Sequence, residues 1–213
     1  MKTKSKILLL TLCAVALVAA SVLGTLAYLT STDTVTNTFT VGKVQIKLDE
    51  AEVDAMGNPV ENSNGRVKAN SYKLLPGHTY NKDPMVTVLA GSESSYIKMT
   101  VTFSNAAELD AIFAPNGANM TSIFNGYDSN NWTAKGNTED TEKNTRTYEF
   151  WYKEAVAAPT ADVALDALFD SITVPGTITG KQLETIKGMT ITVNAYAIQA
   201  DGFADAAEAW RNF

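Results

Sequence analysis

A chain of 213 residues with 23 acidic and 17 basic side chains carries a formal charge of −6, which disfavours nucleic acid and anionic lipid as partners. A single cysteine rules out an internal disulfide framework, and a single histidine cannot supply the usual zinc ligand set. With 45 % hydrophobic residues the chain has ample material for a folded core.

The first element is a targeting segment. Lys2, Lys4 and Lys6 are followed by no charged residue until Asp33, and "ILLLTLCAVALVAASVLGTLAYL" fills most of that gap. A basic start and an apolar run ending in small residues predict a secretory signal over residues 1–27, cut between Ala27 and Tyr28. The uncharged gap also exceeds the ~20 residues that span a bilayer, so an uncleaved anchor is the rival reading. Under either reading the lysines stay cytoplasmic and residues 28–213 are exported, with the membrane met only through the signal segment. Cys13 lies early in the apolar run behind Leu12, which does not fit a lipid-attachment site. The exported chain thus has no cysteine, and its core must hold the fold without disulfides.

Strand patterns begin at once. Val35, Asn37, Phe39 and Val41 alternate with Thr34, Thr36, Thr38 and Thr40. Beyond Gly42, Val44, Ile46 and Leu48 alternate with Gln45, Lys47 and Asp49 in the shifted phase, as at a bend or bulge. "DAMGNPVENSNGRV" predicts a hairpin or loop, and "LLPGHTYNKDP" a connector across Tyr80 to Lys82. Further strands are expected at 85–90, 95–104, 145–153 and 189–200, each with period-two alternation. Helical spacing marks 106–114, 159–172 and 180–188, and "ADAAEAWRNF" reads as a short terminal helix. Residues 105–144, rich in Asn, Gly and Thr, read as an irregular insertion. The sum is an all-β expectation: an antiparallel β-sandwich with short helices in its connections, in one domain over 28–213.

Chemistry is sparse. No His-Glu-x-x-His or Gly-x-Ser-x-Gly motif occurs, and His78 follows a Pro-Gly turn, where a solvated side chain is the plain reading. No catalytic residue, cofactor or metal is expected, and the chain reads as a non-enzyme. Two acidic runs, Glu50/Glu52/Asp54 and Glu139/Asp140/Glu142, have carboxylates for calcium without an EF-hand's spacing. Trp132 and Trp151 are the candidates for a glycan-stacking platform.

"GTLAYLTSTDTVTNTFTVGKVQIKLDE" resembles the start of the TasA/camelysin family of secreted Gram-positive proteins, through Gly24, Thr25, Ala27 and Tyr28 and the Thr-Phe-x-x-Gly that follows. "YKLLPGHTYNKDPMVTV" is similar to the family's Leu-x-Pro-Gly turn through Leu74, Pro76, Gly77, Lys82 and Asp83. "MTITVNAYAIQADGF" looks like its closing strand. The resemblance implies a jelly-roll-like sandwich, cleavage by a SipW-type signal peptidase, and a structural role at the cell surface or in the biofilm matrix. In fibre-forming members the freed N-terminal strand enters a neighbour's sheet. Val35, Phe39 and Val41 are the corresponding donor-strand candidates here, and a homo-oligomer is the expected partner. The alternative is a monomeric exported binding module for glycan or calcium. The camelysin branch has been classed with metallopeptidases, but one histidine gives that activity no support here.

Overall fold

The computed structural model describes residues 3–28, 41–61, 65–113 and 124–213. Two compact units result, Met1–Val41 and Gly42–Phe213. In the first, α1 (Thr3–Tyr28) is a 26-residue helix with no acidic residue in its first turn and no basic one in its last. Its side chains are described as far as Val18, and Leu8, Leu10 and Leu17 are among those exposed. Among the described residues no helix is long and apolar enough to cross a membrane.

The second unit is built from three antiparallel sheets with short helices between their strands. The first sheet joins β1 (Ile46–Ala51), β2 (Arg66–Val67), β4 (Met85–Val88) and β9 (Val163–Ala164) in the order β2-β1-β4-β9. In the second, β10 (Ser171–Thr173) lies between β3 (Thr79–Asn81) and β6 (Phe124–Asn125). The third has β5 (Ser95–Ser104), β7 (Trp132–Asp140), β8 (Thr145–Tyr152) and β11 (Ile191–Gln199) in the order β11-β5-β8-β7.

The core forms where the apolar faces of these strands meet. Along β5 burial alternates residue by residue, and Ile97, Met99, Val101 and Phe103 are at most 1 % exposed. They pack with Val86 and Val88 of β4, Tyr148 and Phe150 of β8, and Leu168 and Phe169. Each such side chain contributes about 1.5–3 kcal/mol of burial free energy. Phe124 stacks on Phe169 with centroids 4.1 Å apart.

Among the described residues of this unit two helices lie in connections and a third follows β11. These are α2 (Ala106–Phe113), α3 (Gly180–Thr185) and α4 (Ala206–Arg211). Thr179 and Gln182 form a capping box at the start of α3, satisfying donors the first turn leaves unpaired. Gly188, just beyond α3, has φ +77°, a backbone conformation that glycine adopts without steric cost.

Three expectations change. The helical spacing at 159–172 does not form a helix: the segment carries β9, then leads into β10 at Ser171. Leu165 N–H bonds to Val86 O at 2.8 Å and Leu168 N–H to Pro84 O at 3.1 Å, so its donors serve the neighbouring strand. Burial of Leu165, Leu168, Phe169 and Ile172 outweighs the intrinsic helical preference. The connector over Tyr80 to Lys82 contains β3, whose Tyr80 pairs with Ile172. The helix expected at 106–114 forms as α2, but the rest of the segment read as an irregular insertion supplies β6 and the nine-residue β7.

Candidate functional site

The third sheet ends in two unlike edges. β7 is exposed from Thr133 to Asn137 and beyond, and its register shifts between Ala134 and Gly136. Gly136 sits at φ +111°, and Lys135 places its ammonium 4.2 Å from the Trp151 ring. A bulge and charged side chains are devices that stop an edge from pairing with another chain. β11 has none of them. Its nine residues, ITVNAYAIQ, hold no charge and no proline, and they pair with β5 in unbroken register from Ile191↔Phe103 to Gln199↔Ser95.

The inner face of β11 is incompletely covered. Ile191, Val193, Ala195 and Ala197 point to the core and pack on it, yet all four are only partly buried. β1 runs close by. It pairs with β4 through Ile46 to Asp49, and with β2 only at Glu50 and Ala51. The β2-facing side of Ile46–Asp49 thus has no ladder partner among the described strands, although Lys68 Nζ donates to Leu48 O at 2.5 Å. Between the two strands lies a groove of about 1070 Å³, with Leu48, Tyr72, Leu74, Met189, Ile191 and Val193 in its walls. A smaller hollow of about 340 Å³ follows the same seam past Ala197 to Gly42 and Val44.

One end of the groove is charged. Lys82 Nζ lies 2.5 Å from Glu50 Oε2, with both side chains 8 % exposed. Asn70 Nδ2 donates to Glu50 Oε1 at 3.0 Å and to Ala51 O at 2.8 Å, while its Oδ1 accepts from Val53 N–H at 3.0 Å. Arg66 ties Asp49 to Asp83 through Nε and Nη1, at 2.5 and 2.8 Å. Burial pushes the Asp49 carboxyl up, but hydrogen bonds from Lys47 and Arg66 outweigh it and hold the group below its ordinary value. Burial, reinforced by the negative charge of Glu50, pushes the Tyr72 phenol well above its ordinary value.

The residues singled out in the sequence do not converge. Ala27 and Tyr28 are the last residues of α1. Val35 and Phe39 lie outside the described residues, and Val41 is exposed. Trp132 is 1 % exposed, its Nε1 bonded to Asp166 O at 3.1 Å, so it is a core residue. Its ladder partner is Tyr152, which puts Trp151 on the opposite face of the sheet; the two tryptophans share no platform. His78 is half-buried rather than solvated, with Nε2 2.6 Å from Met56 O and its ring edge-on to Tyr80.

Protein donors already serve most of the candidate calcium carboxylates. Glu50 meets Lys82 and Asn70, while Asp54 accepts from the Met56 and Asn58 amides of its own turn. Glu139 pairs with Arg146 and Asp140 with Lys143. Among the described residues no group of three or more His, Cys, Asp or Glu side chains is placed to hold a metal ion. Sequence reasoning missed a cluster on the outer face of the third sheet. There Lys98 Nζ lies 4.5 Å from the Trp210 ring and 5.1 Å from Phe213, so α4 is clamped to β11 and β5. Trp210 and Phe213 in the terminal segment were the available signal.

Comparison of the chain with protein-family models, curated proteins and solved structures gives no match.

Proposed function

We propose that this chain is an exported structural protein of the Gram-positive cell surface or biofilm matrix, assembling when the N-terminal strand of one copy lies along β11 of the next. In this reading a SipW-type peptidase cuts between Ala27 and Tyr28 and frees the donor, and the sheets form a jelly-roll-like sandwich. The observation that carries the proposal is the uncharged, unbulged edge of β11 above a core that is open along it. An added strand satisfies such an edge with main-chain hydrogen bonds, while alternate side chains fill the groove.

The donor is argued from its own residues. Residues 34–41 have no charge and no proline, and their threonine-alternating pattern suits a half-buried strand. At about 3.3 Å per residue their eight residues extend over roughly 26 Å, against roughly 30 Å for β11. Val35, Phe39 and Val41 then fill the hollows beside Ile191, Val193 and Ala195. The segment joins the second unit at Gly42, which lines the end of the same seam. The alternative glycan or calcium module gains no support from the separated tryptophans or the engaged carboxylates.

The test is N-terminal sequencing of the exported protein followed by size-exclusion chromatography of that species. The expected result is a start at Tyr28 and concentration-dependent polymers. A chain beginning at Gly42 is expected to remain monomeric. A clean monomer starting at Tyr28, whose residues 28–41 are protected from protease, would mean that the strand folds back on its own sheet, and the assembly reading would fall.

A further inference from the structure

Among the polar clusters, the one formed by Glu50, Asn70 and Lys82 has a chemistry that strand assembly does not use. The three residues come from separate segments: Glu50 from β1, Asn70 from the stretch after β2, and Lys82 from just after β3. A lysine is rarely buried, yet Lys82 is 7 % exposed and Glu50 6 %. One carboxylate bridges the other two groups, since Oε2 meets Lys82 Nζ at 2.5 Å and Oε1 meets Asn70 Nδ2 at 3.0 Å. The amine and the carboxamide are thus held on the two oxygens of a single base.

We infer that Lys82 and Asn70 are joined by an intramolecular isopeptide bond, formed autocatalytically with Glu50 as the proton carrier. Glu50 takes a proton from the Lys82 ammonium, leaving a neutral amine. Nζ swings across the carboxylate and adds to Cγ of Asn70. The negative charge that develops on Oδ1 is held by the Val53 N–H, which already donates to that oxygen at 3.0 Å. Glu50 hands its proton to Nδ2, the Cγ–Nδ2 bond breaks, and ammonia departs. The remaining excess proton on Nζ leaves through Glu50 to the ammonia. In sum, an ammonium and a carboxamide become a secondary amide and an ammonium ion, so no oxidant or cofactor is consumed.

Two features make the step chemically economical. Nδ2, a poor leaving group, already donates to the carboxylate that protonates it on departure. The nucleophile, the electrophile and the base are fixed on a packed scaffold, which removes most of the entropic cost of bringing them together. The product ties the stretch after β2 to the stretch after β3 covalently, in an exported chain whose only cysteine lies in the signal segment.

The experiment is intact-mass spectrometry of the full exported protein, with its start fixed by N-terminal sequencing, followed by proteolysis and tandem mass spectrometry. The expected result is a mass short by one ammonia and a branched peptide joining the segments of Asn70 and Lys82. E50Q is expected to restore the full mass with the circular dichroism of the folded chain unchanged, and K82R likewise. A wild-type mass equal to that of the sequence, with separate peptides bearing free Asn70 and Lys82, overturns the inference. Ammonia loss mapped instead to an Asn-Gly pair such as Asn125-Gly126 also overturns it, because succinimide formation there gives the same mass.

Discussion

Val193 of β11 stands opposite Val101 of β5 in the ladder, yet Val101 is fully buried while Val193 is only partly covered. The same valine side chain therefore has two different jobs on adjacent strands. Met99, next on the core face of β5, is closed in on all sides. Its replacement by alanine leaves a cavity and should cost about 2–5 kcal/mol in urea denaturation, with or without assembly. Val193→Asp should cost the monomer far less, because the new carboxylate reaches groove water. It should abolish polymers in light scattering, since an inserted strand would bury that charge. Polymers undiminished in Val193→Asp would remove β11 from the assembly interface.

A chain beginning at Gly42 offers the groove without the proposed donor strand. A synthetic peptide of residues 29–41 added to it should raise the melting temperature in a concentration-dependent way. At a hundredfold excess over Kd the stabilisation is about 2.7 kcal/mol. Replacing Phe39 by Asp in the peptide should remove most of the shift, and an equal shift from the Asp peptide would refute side-chain insertion. Unlike polymerisation, this assay separates groove recognition from export and cleavage.

The period-two strands were legible in the sequence because a half-buried strand writes its burial directly into residue order. β5 and β8 fall on the residues whose alternation announces them, although in β8 only Tyr148 and Phe150 are buried between partly covered neighbours. The stretch 159–172 misled because Val163, Leu165, Leu168, Phe169 and Ile172 fit helical spacing, while the donors of Leu165 and Leu168 go to Val86 of β4 and to Pro84 just before it. β7 was missed for the opposite reason: an edge strand exposed on both faces has no apolar alternation to read. The groove was invisible for a third reason. It exists only because β1 and β11, far apart in sequence, come together without pairing, and the charged triad at its end joins residues 50, 70 and 82 through tertiary contact alone.

The Arg66 clamp predicts an acid-dependent stability. The Asp49 carboxyl, 2 % exposed, titrates below its ordinary value of 3.8 in the folded state, so folding is favoured by its ionised form. That contribution is fully present above the unfolded-state value and is lost as pH falls through the lower folded-state value. Arg66→Ala leaves Asp49 buried with the half-exposed Lys47 as its remaining ion-pair partner, and should cost about 1.5–3 kcal/mol at neutral pH. The difference between wild type and variant should shrink on acidification below about pH 4, where the lost charge no longer matters. Urea midpoints measured from pH 7 to pH 2 check this, and a difference constant across that range would exclude the clamp as its source.

The outer-face cluster makes a prediction separable from the groove. Trp210 is 9 % exposed, edge-on to Phe213 at 5.4 Å and 4.5 Å from Lys98 Nζ, while Lys98 pairs with Tyr196 in the β5–β11 ladder. α4 spans only six residues, too short to be stable by its own hydrogen bonds, so its order depends on this packing. Trp210→Ala should cost about 3–5 kcal/mol. Lys98→Met keeps the apolar stem and loses the cation, so its cost should lie near 0.5–2 kcal/mol. Amide hydrogen exchange should show protection lost in 206–211 for Trp210→Ala and spread along β11 next. Because β11 is also the proposed acceptor edge, a loosened α4 should weaken polymers without touching the groove walls, whereas Lys98→Met should leave them intact. Equal loss of assembly in both variants would show that charge at Lys98, rather than the packing of α4, supports the edge.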